Sequence, residues 1–461
     1  MNENGSPSQK LSRKTKILYG VGDTGFSLTD TTRAVLFAIF LTDVVGLRPS
    51  LAAGVIFFGL SWDYINDPLF GYISDRTRTR WGRRRPFLLF GFIPFGLSFA
   101  ALWWLPPISS QIGLAIYYSL AFLFYEAAAT FVYMPFYALT PELTQDYDER
   151  TSLSAYRMAF SLAAGLVAFT LPLAIIGSMQ PENADKVFLM GILFGIASAL
   201  PLLLTFFGTR ERLEYQSQPK PKLKESLRAV ARNRPFIFSA GIFLFTWAAI
   251  EIIQNMMLYF LKYRMNLEPI AEYILGTIFI VALITIPFWD WASRRLDKRL
   301  TYIAGMIFLS SVMIVLSFIN PNWGLAVVFA LAALAGIGVG GVHVLTWAIV
   351  PDAIEWDELH SGQRHEGIFY SLISLLRKIS ASFVGPMALL VLGWSGFVPN
   401  AAQQSESAVR AIQFLFGVVP SISFCLGIAF AIAYPISRQS HTQLRQELES
   451  RRQSRTSLTD G

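Results

Sequence analysis

Twelve long stretches dominated by apolar side chains constrain this chain more than any other feature. They fall near 17–44, 51–74, 86–105, 111–140, 153–177, 187–208, 236–261, 270–292, 300–319, 323–350, 366–394 and 411–435. About 20 helical residues cross the hydrocarbon core of a bilayer, and inside it only helices or closed barrels satisfy their own backbone groups. The pattern therefore predicts an all-α membrane protein with 12 transmembrane helices. Charge supports this: only 15% of the 461 residues are charged, against about 25% in soluble domains. So few charges leave too little polar surface for a water-soluble globule. The first, second, fourth and eleventh stretches carry polar residues that hydropathy alone would penalise. Residues 1–16 are polar and basic, without the short apolar core of a cleaved signal, so the first stretch reads as a retained span. The single cysteine, Cys425, cannot form an internal disulfide and reads as packing.

The connecting segments alternate in charge. One side holds the N-tail, the 75–85 loop (with Arg76, Arg78, Arg80, Arg83, Arg84 and Arg85), Arg150, the 209–235 segment, the 294–299 loop, Arg364 and the C-tail. These segments contain 29 of the 38 lysines and arginines; the other side has five, Arg48, Lys186, Lys262, Arg264 and Arg410. Basic loops stay cytoplasmic, which places both termini inside and makes the span count even. The net charge of +7 is thus a topology signal, supplemented by attraction to anionic membrane lipid, and not a nucleic-acid footprint. The expected organisation is a cytoplasmic N-tail at 1–16, a six-helix bundle at 17–208, a cytoplasmic loop at 209–235, a second bundle at 236–435 and a cytoplasmic C-tail at 436–461.

The two halves repeat each other. Ala138-Leu139-Thr140-Pro141-Glu142, followed by Asp146 to Glu149, closes the fourth span. Ala348-Ile349-Val350-Pro351-Asp352, followed by Glu355 to Glu358, closes the tenth. The Arg-rich loop from Asp75 to Gly91 has a shorter partner from Trp291 to Gly305. Two ordered matches at equivalent spans imply an internal duplication, which is expected of a transporter with its site between two bundles.

Ionisable groups inside spans are costly and ask for a reason. Asp63, Asn66 and Asp67 lie at helical spacings of three and four, hence on one face. Their hard oxygen ligands suit an alkali cation or a proton; the alternative is that the carboxylates pair with basic residues to hold the fold. Asp30 and Arg33 form a local ion pair or line a cavity. Lys378 is a candidate partner for Asp63 or Asp67, while Arg377 is a candidate to snorkel to an interface. Arg157 reads as a cytoplasmic anchor or a gate. Glu126 and Glu251 are further acids able to pair or carry protons. His343 lacks a second His or Cys at ligand spacing and reads as structural. Trp103, Trp104, Trp323 and Trp394 fit interfacial belts; Trp62 and Tyr133 lie deeper and suit stacking on a solute. No P-loop, G-x-S-x-G, H-E-x-x-H or paired C-x-x-C is present, so the chain reads as a non-enzyme that needs no ATP hydrolysis of its own.

The motifs Tyr19-Gly20-Val21-Gly22-Asp23, Thr42-Asp43-Val44-Val45-Gly46-Leu47, Trp62-Asp63-Tyr64-Ile65-Asn66-Asp67-Pro68 and Asp75 to Pro86 resemble those of the glycoside–pentoside–hexuronide:cation symporters. So does Glu366-Gly367-Ile368-Phe369-Tyr370-Ser371 with Lys378 seven residues on. This is the branch of the major facilitator superfamily that includes the melibiose permeases, and the resemblance covers most of the chain. It implies the major facilitator fold, two pseudo-symmetric six-helix bundles, and symport of a small solute with Na⁺, Li⁺ or H⁺ by alternating access, with no other cofactor. It further implies a monomer in the cell (inner) membrane. By the same resemblance, Asp63, Asn66, Asp67 and Thr130 are the cation site, with Asp63 and Asp67 ligating the ion if it is sodium. Lys378 links cation and solute, and Arg157 lies close to a family arginine.

The chain departs from the melibiose permeases where they carry sugar-binding carboxylates, for here stand Ser27 and Tyr133. Asp30, three residues from Ser27, is a substitute candidate. The candidate solute-binding residues are Ser27, Asp30, Arg33, Trp62, Glu126, Tyr133, Arg157 and Lys378. A sugar, glycoside or uronide is the first expectation. The alternative is a lysophospholipid or other amphiphile, since the same branch contains sodium-dependent lysophospholipid symporters and this chain is rich in phenylalanine. Two competing classes are an integral-membrane transferase with Glu126 as base, which the duplicated halves argue against, and a non-transporting sensor.

Overall fold

A computed structural model describes residues 10–144, 146–211, 230, 233–361, 366–401, 403–444, 446–447 and 450. Residues 1–9 of the N-tail, most of the 209–235 loop, Arg364 and residues 451–461 of the C-tail lie outside the described residues. Regular structure among the described residues is helical, apart from one bridge between Thr79 and Gly82.

Two compact units share the chain. The first takes Met1–Pro219 with Leu267–Glu272 and Gly385–Ala408; the second takes Lys220–Asn266, Tyr273–Val384 and Val409–Gly461. The helices of the first half are α1 (Arg13–Gly20), α2 (Gly22–Ile39), α3 (Pro49–Ser61), α4 (Asp63–Arg76), α5 (Arg85–Leu102), α6 (Gln111–Leu143), α7 (Tyr147–Ile176) and α8 (Ala184–Gly208). Those of the second half are α9 (Arg234–Tyr259), α10 (Ala271–Arg295), α11 (Lys298–Phe318), α12 (Leu325–Ser361), α13 (Glu366–Trp394), α14 (Glu406–Gln413) and α15 (Val419–Ala433).

Ten helical stretches among the described residues are long and apolar enough to cross a bilayer. They correspond to the third through twelfth expected spans. The first two do not qualify because each is irregular at one residue, Val21 or Trp62, and each is rich in charge: Asp23, Asp30 and Arg33 on α2, and Asp63, Asp67, Asp75 and Arg76 on α4. The same π-helical turn closes the first span of each half, at Phe40–Val44 after α2 and at Phe260–Arg264 after α9.

In the first unit α5 and α8 meet backbone to backbone, because a methyl group on Gly96 would lie 2.8 Å from the Gly195 carbonyl oxygen. Small residues give this close approach in a medium where apolar burial between helices drives little. Trp103, expected in an interfacial belt, is instead fully buried. The chain turns inward at the end of α5 and packs its ring against Phe37, Phe40 and Phe99 at centroid distances of 5.8, 5.2 and 5.8 Å. Trp104, Trp323 and Trp394 are exposed, as a belt requires. Cys425 is exposed and lines an apolar groove with Ile314, Ile422 and Leu426.

The duplicated motifs perform the same task in each unit. In the first, Glu142 at the end of α6 receives Arg83 Nη2 at 2.6 Å and Arg84 Nε at 3.1 Å. In the second, Asp352 near the end of α12 receives Lys298 Nζ at 2.6 Å. Glu211 binds the start of α5, accepting from the backbone N–H groups of Arg83, Arg84 and Arg85 at 2.6, 2.8 and 2.8 Å. A carboxylate at a helix N-terminus satisfies orphan donors and complements the dipole there.

Candidate functional site

The polar residues of α4 sit in its first two turns. Asp63 and Asn66 are buried and Asp67 is half-buried, so all three turn toward the bundle as their spacing predicts. Thr130 on α6 is buried beside them, and its hydroxyl donates to Asp67 Oδ1 at 3.5 Å. The side-chain nitrogen of Asn66 is buried with no hydrogen-bond partner among the described residues. Because an amide turns end over end without changing shape, this position can present its carbonyl oxygen. Pro68 adds a further feature: lacking an N–H, it cannot donate the helical hydrogen bond to the residue four positions before it. The set is two carboxylates, an amide and a hydroxyl, all hard oxygen donors of the kind that bind alkali cations or protons. Among the described residues no group of three or more His, Cys, Asp or Glu could hold a metal ion. Trp62, at the joint between α3 and α4, is exposed beside Asp63.

A second cluster links α2 to α6. Arg33 lies 4.0 Å from Asp30 and 3.7 Å from Glu126, with its guanidinium 5.5 Å from the centre of the Phe122 ring. Asp30 and Arg33 thus form more than a local pair, since Arg33 also bridges to the fourth span. The Asp30 side chain is 43% exposed, whereas that of Glu126 is 9% exposed. Asp30 is therefore the accessible acid of the cluster and Glu126 the enclosed one.

A third cluster lies farther toward the start of α2. Arg157 on α7 places Nε 3.7 Å from Asp23 Oδ2, and its guanidinium lies 4.8 Å from the centre of the Tyr137 ring. Tyr137 donates to Asp23 Oδ1 at 3.1 Å. Tyr133 stacks with Tyr137 at 5.9 Å and lies against Phe26 at 3.5 Å between centroids. Ser27 donates to the Ser161 carbonyl at 2.7 Å, so its hydroxyl is committed to the backbone of α7. Sequence reasoning missed Asp23 and Tyr137. The available signal was spacing: Asp23, Ser27 and Asp30 recur at i, i+4 and i+7, one face of a helix.

Lys378 lies on α13 in the second unit and is half-buried. The guanidinium of Arg377 beside it sits over the Trp247 ring at 5.1 Å. His343 behaves partly as expected, with Nδ1 3.1 Å from the Val339 carbonyl, yet it is exposed at the middle of α12.

Residues 18–438 match the family described as MFS/sugar transport protein. A putative glycoside/cation symporter from Escherichia coli is 29% identical, covering 90% of this chain and 90% of that protein. Sodium-dependent lysophosphatidylcholine symporter 1-A from Danio rerio is 27% identical, covering 94% of this chain and 88% of that protein. Among solved structures, the xylose transporter XylE from E. coli superposes with a TM-score of 0.63 at 14% identity, over 94% of this chain and 98% of that one. At that identity the likeness speaks for the fold alone.

Proposed function

Because this chain belongs to the MFS/sugar transport protein family, we propose that it is a secondary active symporter moving a sugar, glycoside or uronide together with a monovalent cation. The protein is a multi-pass membrane transporter of the major facilitator fold, not an enzyme. Its place is the cell (inner) membrane, with both termini cytoplasmic, as the basic loops require, and it works as a monomer.

The observation that carries this reading is the oxygen cluster of buried Asp63, Asn66 and Thr130 with half-buried Asp67. Two carboxylates in a bundle interior repel until a cation is shared between them. Cation binding therefore gathers α4 against α6. A solute that favours the gathered arrangement binds more tightly when the cation is present, and linkage makes the effect reciprocal. Asp30, Arg33 and Glu126 stand on α2 and α6, with Asp23, Arg157, Ser27 and Tyr133 at the α2–α7 side, as the solute-facing groups of the first half. Trp62 and Lys378 complete the candidate set.

A second reading has support in one feature. Ser27 and Tyr133 stand where sugar-binding carboxylates would be, and Tyr133 belongs to an aromatic stack with Phe26 and Tyr137. Such a surface suits an acyl chain as well as a sugar ring, and a lysophosphatidylcholine symporter is among the relatives. Thermal-shift measurements on purified protein against sugars, uronides and lysophospholipids, with and without Na⁺, separate the two, since a ligand specific to the folded state raises the melting temperature. A sodium-enhanced sugar or uronide response supports the first reading. A lysolipid response without any sugar response replaces it with the second.

A further inference from the structure

Arg377 is a charged residue deep in a membrane helix, with no ion pair among the described residues. It lies 11 residues after Glu366 and 17 before Trp394 on α13 (377 − 366 and 394 − 377), about 16 and 25 Å of helix. Arginine at such depth is costly and marks function more often than architecture. No acidic side chain pairs with it among the described residues, and its contact is the Trp247 ring of α9, 5.1 Å away. That contact is cation–π and leaves the guanidinium edge, where the N–H donors lie, free to bind.

The surroundings extend the donor set. Trp247 is nearly buried, and its indole N–H has no hydrogen-bond partner among the described residues. Its ring meets His343 of α12 edge to face at 5.5 Å. His343 Nδ1 lies 3.1 Å from the Val339 carbonyl, so Nδ1 carries the proton and Nε2 is left to accept one. Both His343 and Arg377 are exposed although they occupy the middle of spans. The polar residues Ser371 and Ser374 precede Arg377 at spacings of three on the same side of α13, and both are exposed too. The other charged groups on these helices near the cluster are Glu251, one turn beyond Trp247 on α9, and Lys378, adjacent to Arg377.

We propose that Arg377, with the Trp247 indole and His343, is an anion subsite of the second half, and that the transported solute carries a carboxylate or phosphate together with hydroxyl groups. This deepens the symport reading and rests on it. In this subsite the guanidinium fork of Arg377 is the primary donor to the anionic group, the enclosed and unpartnered Trp247 indole N–H is a second donor, and His343 Nε2 accepts from a neighbouring hydroxyl. Neutral sugars leave the two donors unmatched, and so bind less well.

The test uses the full-length protein in detergent and three probes: D-glucuronate and sn-glycerol 3-phosphate as Tris salts, and D-glucose as the neutral match. Melting temperature is followed in sodium and in choline buffers, each at an acidic and at a neutral pH. For the native protein at least one anion should give a larger shift than glucose, and which one responds tells carboxylate from phosphate. Arg377→Gln should weaken that anion at least tenfold while the shift caused by sodium stays. Arg377→Lys keeps the charge but loses the fork and should lie between; Trp247→Phe keeps the ring and should lose a few-fold. The subsite is overturned if neither anion exceeds glucose in the native protein, or if Arg377→Gln binds the anion as the native protein does. If Arg377→Gln does not elute as a single species, native-like anion affinity in both Arg377→Lys and Trp247→Phe overturns it, and weakening in both supports it. A native protein that binds the anion but responds to neither sodium nor pH supports the subsite and counts against the symport reading alone.

Discussion

Asp23 of α2 and Arg157 of α7 form an ion pair at 3.7 Å, with the side chains 9% and 26% exposed and the Tyr137 hydroxyl donating to the same carboxylate. Burial makes the pair interdependent, because removing one partner strands the other charge in a poorly solvated place. Arg157→Gln and Asp23→Asn should therefore each destabilise the protein, the former by about 3 kcal/mol. The double variant Asp23→Asn with Arg157→Gln should recover most of that loss. Melting temperatures of the two single variants and the double variant form the cycle; additive losses would mean that the groups do not interact.

Asp63→Asn and Asp67→Asn should each reduce cation-stimulated uptake in proteoliposomes by roughly 10- to 100-fold, the loss expected when one charge-assisted ligand is removed. Both variants should still insert and elute normally. Sodium or proton coupling retained in both would eliminate α4 as the cation site.

Glu211→Ala removes the acceptor shared by the N–H groups of Arg83, Arg84 and Arg85. The loss of this helix cap should cost about 1–2 kcal/mol and be visible as a lower melting temperature. Glu211→Asp, which keeps the carboxylate on a shorter arm, should recover part of the difference.

Gly96→Val places branched carbons where the Gly195 carbonyl already lies within 2.8 Å of a first methyl. The α5–α8 contact cannot absorb this by a rotamer change, since the obstacle is backbone. Expression in the membrane and the melting temperature should both fall, whereas Gly54→Val, at a position with nothing within 4 Å of the added carbon, should change neither.

Much of the fold was legible because membrane insertion writes itself along the chain. Ten of the twelve expected spans are long apolar helices, and the other two are those weakened by Asp23, Asp30 and Arg33 and by Asp63 and Asp67. The clustering of Asp63, Asn66 and Asp67 was equally legible, since helical spacing alone brings them to one face. What sequence could not supply was contact between helices. Hydropathy placed Trp103 at an interface, yet its neighbours Phe37 and Phe40 come from α2 and the turn after it. The contact of Arg377 with the Trp247 ring joins two helices far apart in the chain, so neither segment alone announces it. Asp23 sat in a recognisable motif, but its partner Arg157 becomes apparent only when α2 and α7 are packed together.

The carboxylates Glu142 and Asp352 descend from one repeated motif, but their partners differ in kind. Glu142 is gripped by two guanidinium groups, planar forks whose bonds fix direction as well as distance. Asp352 is held by the ammonium of Lys298, a point charge without a planar fork, with His441 Nε2 3.4 Å from the same oxygen. The two halves thus hold corresponding joints with different directionality: planar forks in one, a point charge with an imidazole beside it in the other. A protein assembled from two copies of one ancestor can in this way keep a joint while changing the chemistry that closes it.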